Sequence, residues 1–176
     1  MMKKFLMVAC AVAVAGAINS ASAMDRSGKI GFGYQENIMS ITSPGNTLGT
    51  WSLKYGVTSL IAAEFLVGFD MANKSGNKDM AFGARILYNL VQKENSDFYT
   101  GLGLVWNQDK SPADNRCLRT QIPLGFEWSF AGLPEIGFNA EAGVIIDYIK
   151  ATKQLQFHTA GGNIGGALGL GVHYYF

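Results

Sequence analysis

Nine charged residues (Lys54, Glu64, Asp70, Asp79, Arg85, Arg119, Glu127, Glu141 and Asp147) are set into stretches that are otherwise apolar or glycine-rich. Charges in such settings pair with one another, conduct ions, or act as acid and base on a substrate. Nucleophilic chemistry would need a serine or cysteine beside a base. The chain has two histidines: His158 precedes Thr159-Ala160 and His173 precedes Tyr174-Tyr175, so neither has a serine at local spacing. No Ser/His/acid set is expected from those spacings. His158 is read as a loop residue and His173 as a packed interior one. Two histidines and a distant cysteine make no metal cluster. Gly161-Gly162-Asn163-Ile164-Gly165-Gly166 is glycine-rich, but no helix is expected after it to cradle a phosphate. Neither cofactor nor metal is therefore expected, and the chain is not read as an enzyme.

What positions these charges follows from composition. Of 176 residues, 48% are hydrophobic and only 15% charged, with 22 glycines, a balance that excludes disorder. A formal charge of +1 with no basic tail or patch excludes nucleic acid as an expected partner. Lys3 and Lys4 precede an uncharged apolar run from Phe5 to Ile18, followed by Asn19-Ser20-Ala21-Ser22-Ala23. This is the pattern of a secretory signal, so residues 1–23 are expected to be removed after Ala23 and residues 24–176 to form one domain. The run is too short for a spanning helix, which takes roughly 20 residues. Cys10 is a weak lipidation candidate, because the apolar stretch before it is short. Cys117 would then be alone in the mature chain, excluding an internal disulfide.

Beyond the signal, the hydropathy alternates with period two. Leu168, Leu170, Val172, Tyr174 and Phe176 share one face; Ala167, Gly169, Gly171, His173 and Tyr175 share the other. Equivalent alternation around 30–35, 51–57, 60–70, 79–91, 97–107, 117–130 and 135–149 gives eight strands in all. Each is expected to be long enough for the roughly 9–11 residues that a tilted strand needs to cross hydrocarbon. Tight turns are expected at 56–59, 93–97 and 131–134, and longer polar loops around 37–48, 71–78, 108–116 and 150–164. Short turns at one end and long loops at the other suit an outer-membrane barrel with both termini in the periplasm.

Parity alone leaves open which face is outside. A soluble lipocalin-type barrel would need a water-loving outer face, yet the polar face here is largely glycine with a few charges. Trp51, Trp106, Trp128, Phe130, Tyr148, Tyr174 and Phe176 lie on the apolar face, as interfacial aromatics do. The fold expected is an eight-stranded antiparallel up-and-down transmembrane β-barrel with its apolar face outward.

On these features, with Ile122-Pro123-Leu124-Gly125-Phe126-Glu127 and the closing Gly171-Val172-His173-Tyr174-Tyr175-Phe176, the mature chain resembles the small outer-membrane β-barrel family (OmpA/OmpX-like). The resemblance implies that Tyr174 and Phe176 belong to a C-terminal signal for the barrel assembly machinery. It does not extend to peptidoglycan binding, for which no segment is left over.

Lys54, Glu64, Arg85, Arg119, Glu127, Glu141 and Asp147 then form a lumen charge network. Lys54 should lie level with Glu64, Arg119 with Asp147, and Arg85 should reach Glu127 or Glu141. Paired, they plug a narrow lumen; unpaired, they would line a path for ions or small solutes. The function expected is a non-enzymatic, monomeric envelope barrel embedded in outer-membrane lipid. Its long loops would meet any extracellular ligand. A channel is the alternative, and a soluble periplasmic binding barrel the third.

Overall fold

Successive side chains of a strand point to opposite faces, so a strictly alternating sequence can bury one face only if its sheet curls or is covered. The computed structural model describes residues 24–35, 49–71, 78–109, 115–160 and 169–176. It resolves the problem by closure. The strands are β1 (Ile30–Gln35), β2 (Thr50–Gly56), β3 (Ile61–Met71), β4 (Lys78–Lys93), β5 (Ser96–Asp109), β6 (Asn115–Phe130), β7 (Leu133–Ile149), β8 (Gln154–Ala160) and β9 (Gly169–Tyr175). Each pairs antiparallel with its neighbours in chain order from β1 to β7. β9 closes the ring by pairing with both β1 and β7. The result is a closed, eight-stranded antiparallel barrel, and the described residues include no helix.

The eighth stave departs from the expected single strand. β7 pairs with β9 along Ile136–Glu141 and with β8 along Gly143–Ile149. The hand-over takes place at Ala142, so the stave is two collinear pieces, with residues 161–168 between them in sequence. The loop expected over 150–164 is thus corrected: Lys150 to Lys153 is a turn and Gln154–Ala160 is strand. Its short alternation, with Leu155 and Phe157 outward, was hidden inside a polar stretch. His158 accordingly sits in a strand, not a loop. The other three expected loops fall largely outside the described residues.

Strand lengths are uneven. β3 to β7 run from 11 to 17 residues, whereas β1 has 6 and β2 and β9 have 7 each. The expectation of uniformly long staves therefore fails for β9, because its stave is split. For β1 and β2 the strands are bounded by residues 36–48, outside the described set.

The register also shows the stagger that barrel closure demands. From Tyr34, one path runs through Trp51, Val67, Phe82, Trp106 and Leu118 to Tyr148 on β7. The other path, through Val172, reaches β7 at Phe138. Neighbouring aromatics stack across strands on the outer face: Phe32 on Trp51 at 5.4 Å, Phe82 against Trp106 at 4.8 Å and Trp128 on Phe138 at 5.9 Å.

Candidate functional site: the ionic network in the lumen

The barrel is polar inside and apolar outside. Glu64 and Arg85 are at most 2% exposed, while Phe65 and Ile86, their neighbours in sequence, are 57% and 63% exposed. Glu64 (β3) lies between Lys54 (β2) and Arg85 (β4) in register, and Arg85 opposes Gly103 on β5.

Arg85 is the hub. Its Nε and Nη2 donate to Glu64 Oε2, at 2.9 and 2.5 Å. Its Nη1 and Nη2 reach across the lumen to Glu141 on β7, at 2.6 and 3.0 Å. Two carboxylates thus share one planar guanidinium, whose fork of donors a lysine could not reproduce. The remaining carboxylate capacity is taken up as well. Gln35 Nε2 and the Ser52 hydroxyl donate to Glu64 Oε1, and the Tyr99 hydroxyl donates to Glu141 Oε1.

Lys54 does not pair with Glu64, its register neighbour. Its Nζ crosses to Glu127 Oε2 at 2.6 Å, and the Tyr175 hydroxyl donates to Glu127 Oε1 at 2.7 Å. Glu64 is already occupied by Arg85, which leaves Lys54 the Glu127 carboxylate on β6. Arg26 comes within 3.9 Å of Glu127 from the segment before β1. Lys54, Arg85 and Arg26 thus face Glu64, Glu127 and Glu141, and the buried Asp97 lines the same cavity as Lys54, Arg26 and Glu127. Arg119 and Asp147 form a separate pair, directly opposed on β6 and β7 and joined in bidentate fashion by Nε–Oδ1 and Nη2–Oδ2 bonds of 2.8 Å. Backbone register sets Asp70, Asp79 and Asp109 side by side at the opposite end from the short turns; their side chains lie outside the described set.

Register also assembles a group that local spacing could not reveal. Gly33 on β1 opposes Ser52 on one side and His173 on the other. A Cβ at Gly33 would collide with the Val172 carbonyl oxygen and lie 2.6 Å from His173 Cδ2, so the missing side chain lets both the β9 backbone and the imidazole lie close over β1. His173 Nε2 is 2.8 Å from Ser52 Oγ and 3.6 Å from Glu64 Oε1. A serine, a histidine and an acid therefore do meet, from three strands, contrary to the expectation from spacing.

Their order is wrong for a nucleophile. The single Ser52 hydroxyl proton is directed at Glu64, which as a carboxylate only accepts. His173 Nε2 must then be the donor to Ser52 Oγ, so it cannot withdraw the serine proton, and Nδ1 faces no partner. The group works as a hydrogen-bonded brace for Glu64. Gly33→Ala should destabilise the barrel by roughly 1–3 kcal/mol through overpacking against the Val172 carbonyl and His173. Urea unfolding of the refolded protein would measure this, and an unchanged midpoint would remove the packing role given to Gly33.

Ser52, Tyr99, Asn139, His173 and Tyr175 join the named charges in this interior. All lie on the polar face of their strands, so parity was the available signal. Arg26 had none, since it precedes the first strand. Tyr174 and Phe176 face outward, 49% and 75% exposed.

No protein-family model matches the chain, and no curated protein matches it. Among solved structures it is similar to the N-terminal β-barrel domain of Pseudomonas aeruginosa OprF. The TM-score is 0.56 at 15% identity, over 85% of this chain and 98% of that one. At such identity the likeness is one of fold alone, a closed eight-stranded antiparallel barrel.

Proposed function

We propose that the chain is a non-enzymatic integral outer-membrane barrel. On this reading both termini are periplasmic, an ionic plug fills the lumen, and the barrel contributes to envelope integrity while displaying its long loops outside. Residues 1–23 are its export signal. Tyr174 and Phe176 present the C-terminal signal to the assembly machinery, outer-membrane lipid surrounds a monomer, and no cofactor is required.

One observation supports this reading above the rest: the outer face is apolar around the barrel while the charges are paired within. Phe65, Phe69, Ile86, Leu102 and Leu104 are each more than half exposed. Soluble monomers rarely present contiguous apolar patches beyond a few hundred Å², so this surface calls for hydrocarbon as its solvent. Leu104→Arg tests it. An arginine on the lipid face near mid-membrane costs about 2–4 kcal/mol, whereas on a water-facing surface it would be neutral or would help solubility. The expected result is reduced stability of the refolded protein in lipid bilayers. Unmodified protein should fractionate with the outer membrane and migrate differently on gels when heated. Recovery from the periplasm without detergent would overturn the reading.

A second reading, an ion or small-solute channel, draws on cavities flanking the plug. One is lined by Arg85, Gln121, Glu141 and Gly143, the other by Lys54, Asp97, Tyr99 and Glu127. Single-channel recording separates the two, with a plug giving no stepwise conductance.

A further inference from the structure

We infer that residues 24–29 are a strap that closes the short-turn mouth of the barrel, with Arg26 as its latch. The segment precedes β1 and crosses the end where the β4–β5 and β6–β7 turns lie. At one side the Met24 nitrogen donates to the Lys93 carbonyl, 3.0 Å away at the β4–β5 turn. Near the β6–β7 turn, Arg26 Nη1 donates to the Pro134 carbonyl at 2.7 Å and Nη2 to Ser129 Oγ at 2.8 Å. At a third side Ser27 forms a parallel bridge with Gly56, the last residue of β2. Gly28 N donates to Gly56 O at 2.8 Å, and Gly56 N to Lys29 O at 3.1 Å.

The strap is thus tied to three separate points of the rim. Extended tails before a first strand are usually poorly ordered unless tied down, and here Met24 and Arg26 are each only 8% exposed. Arg26 explains the burial. Its guanidinium lies 3.8 Å above the Tyr175 ring, a cation–π geometry, while Nη1 donates to the carbonyl and Nη2 to the hydroxyl and Met24 Sδ, and Nε has no hydrogen-bond partner. Gly28 makes the turn that sends the chain into β1; its φ of 72° is in the left-handed region that glycine tolerates best.

Closure has a consequence for the interior. Arg26 also borders the cavity above Lys54 and Glu127, where Asp97 is 4% exposed and its Oδ1 has no hydrogen-bond partner. The strap therefore controls whether solutes from this end reach the lower face of the plug. It does so whether the barrel conducts or not, and its test is separate from the fractionation that tests membrane residence.

The experiment is hydrogen exchange on refolded chains starting at Met24, compared with Arg26→Ala and Gly28→Val. The first removes the latch and the second the turn, and neither substitution lies in a strand. In the unmodified chain the Gly28 and Lys29 amides should exchange at least about tenfold slower than free peptide. Both variants should lose that protection while β3 to β7 keep theirs. The Asp97→Cys variant, in a Cys117→Ser background, should react with a water-soluble maleimide about tenfold faster once Arg26→Ala is added. Unprotected exchange in the unmodified chain, protection surviving either variant, or unchanged labelling would each overturn the strap.

Discussion

Replacing Arg85 with Met should destabilise the folded barrel by roughly 3–5 kcal/mol, toward the upper end of what breaking a buried ion pair costs. Arg85 holds two carboxylates, Glu64 and Glu141, from opposite sides of the lumen. Without it both remain buried, facing each other with no cation between them. Gln35, Ser52 and Tyr99 still donate to them, but neutral donors bring no positive charge to offset two buried carboxylates. Restoring balance should therefore restore stability. Arg85→Met combined with Glu64→Gln and Glu141→Gln should recover most of the loss, since Arg85 and both carboxylates that it holds are then neutral, while Lys54 and Arg26 still face Glu127 and Asp97. Urea unfolding in detergent or lipid bilayers measures all of these. A single variant within about 0.5 kcal/mol of the unmodified protein would mean that water reaches Arg85 and that the plug is open.

The same variants bear on conduction. In a plugged barrel Arg85→Met changes stability far more than current. In a channel it would alter conductance, because the guanidinium lies across the lumen axis between β4 and β7. Recording both quantities on one preparation tells which reading of the network holds.

How much of this was legible beforehand depends on which physical rule each feature obeys. Parity is local: Lys54, Glu64, Tyr99, Asn139 and His173 could be assigned to the polar face from two or three neighbours on either side. Closure into eight staves likewise follows from alternation and turn spacing. Partner choice is not local. Lys54 and Glu64 were expected to pair because they oppose each other on adjacent strands. The lumen is narrow enough, however, for long side chains to reach the far wall, and Arg85 competes for Glu64 with two donors against one. Lys54 consequently pairs with Glu127 on β6. For Arg85 both far-wall carboxylates were in view, and stagger decides for Glu141. That stagger is a property of the closed ring and is written in no single strand.

The Ser52–His173–Glu64 brace was missed for a related reason. A search for serine near histidine in sequence presumes a local arrangement, whereas here the two residues approach over a glycine of the strand between them. Gly33 could have pointed to the meeting, because an inward glycine flanked by two strands is where large neighbours can converge. β8 was missed because a seven-residue alternation beside a glycine-rich stretch reads as loop when only eight strands are expected. Arg26 lay outside any periodic segment, so only the folded rim reveals what it holds.

Arg119 and Asp147 offer the cleaner measurement, because they were expected to be level and are joined directly. Both are 2% exposed and face each other across β6 and β7 with two parallel bonds. Arg119→Met should cost roughly 3–5 kcal/mol, since it leaves Asp147 charged and buried, while replacing both partners by apolar residues is often near neutral. Arg119→Met with Asp147→Leu should therefore unfold much closer to the unmodified protein than the single variant does. Both side chains make further contacts in the lumen, so recovery should be substantial without being complete. The comparison also tests which way round the barrel is. On a water-facing surface the pair would contribute about 0–1 kcal/mol, and the single variant would unfold at nearly the same urea concentration. A large loss in the single variant that is reversed in the double one requires a desolvated lumen. If the single variant were as stable as the unmodified protein, Arg119 would be in solvent and the barrel would have its polar face outward.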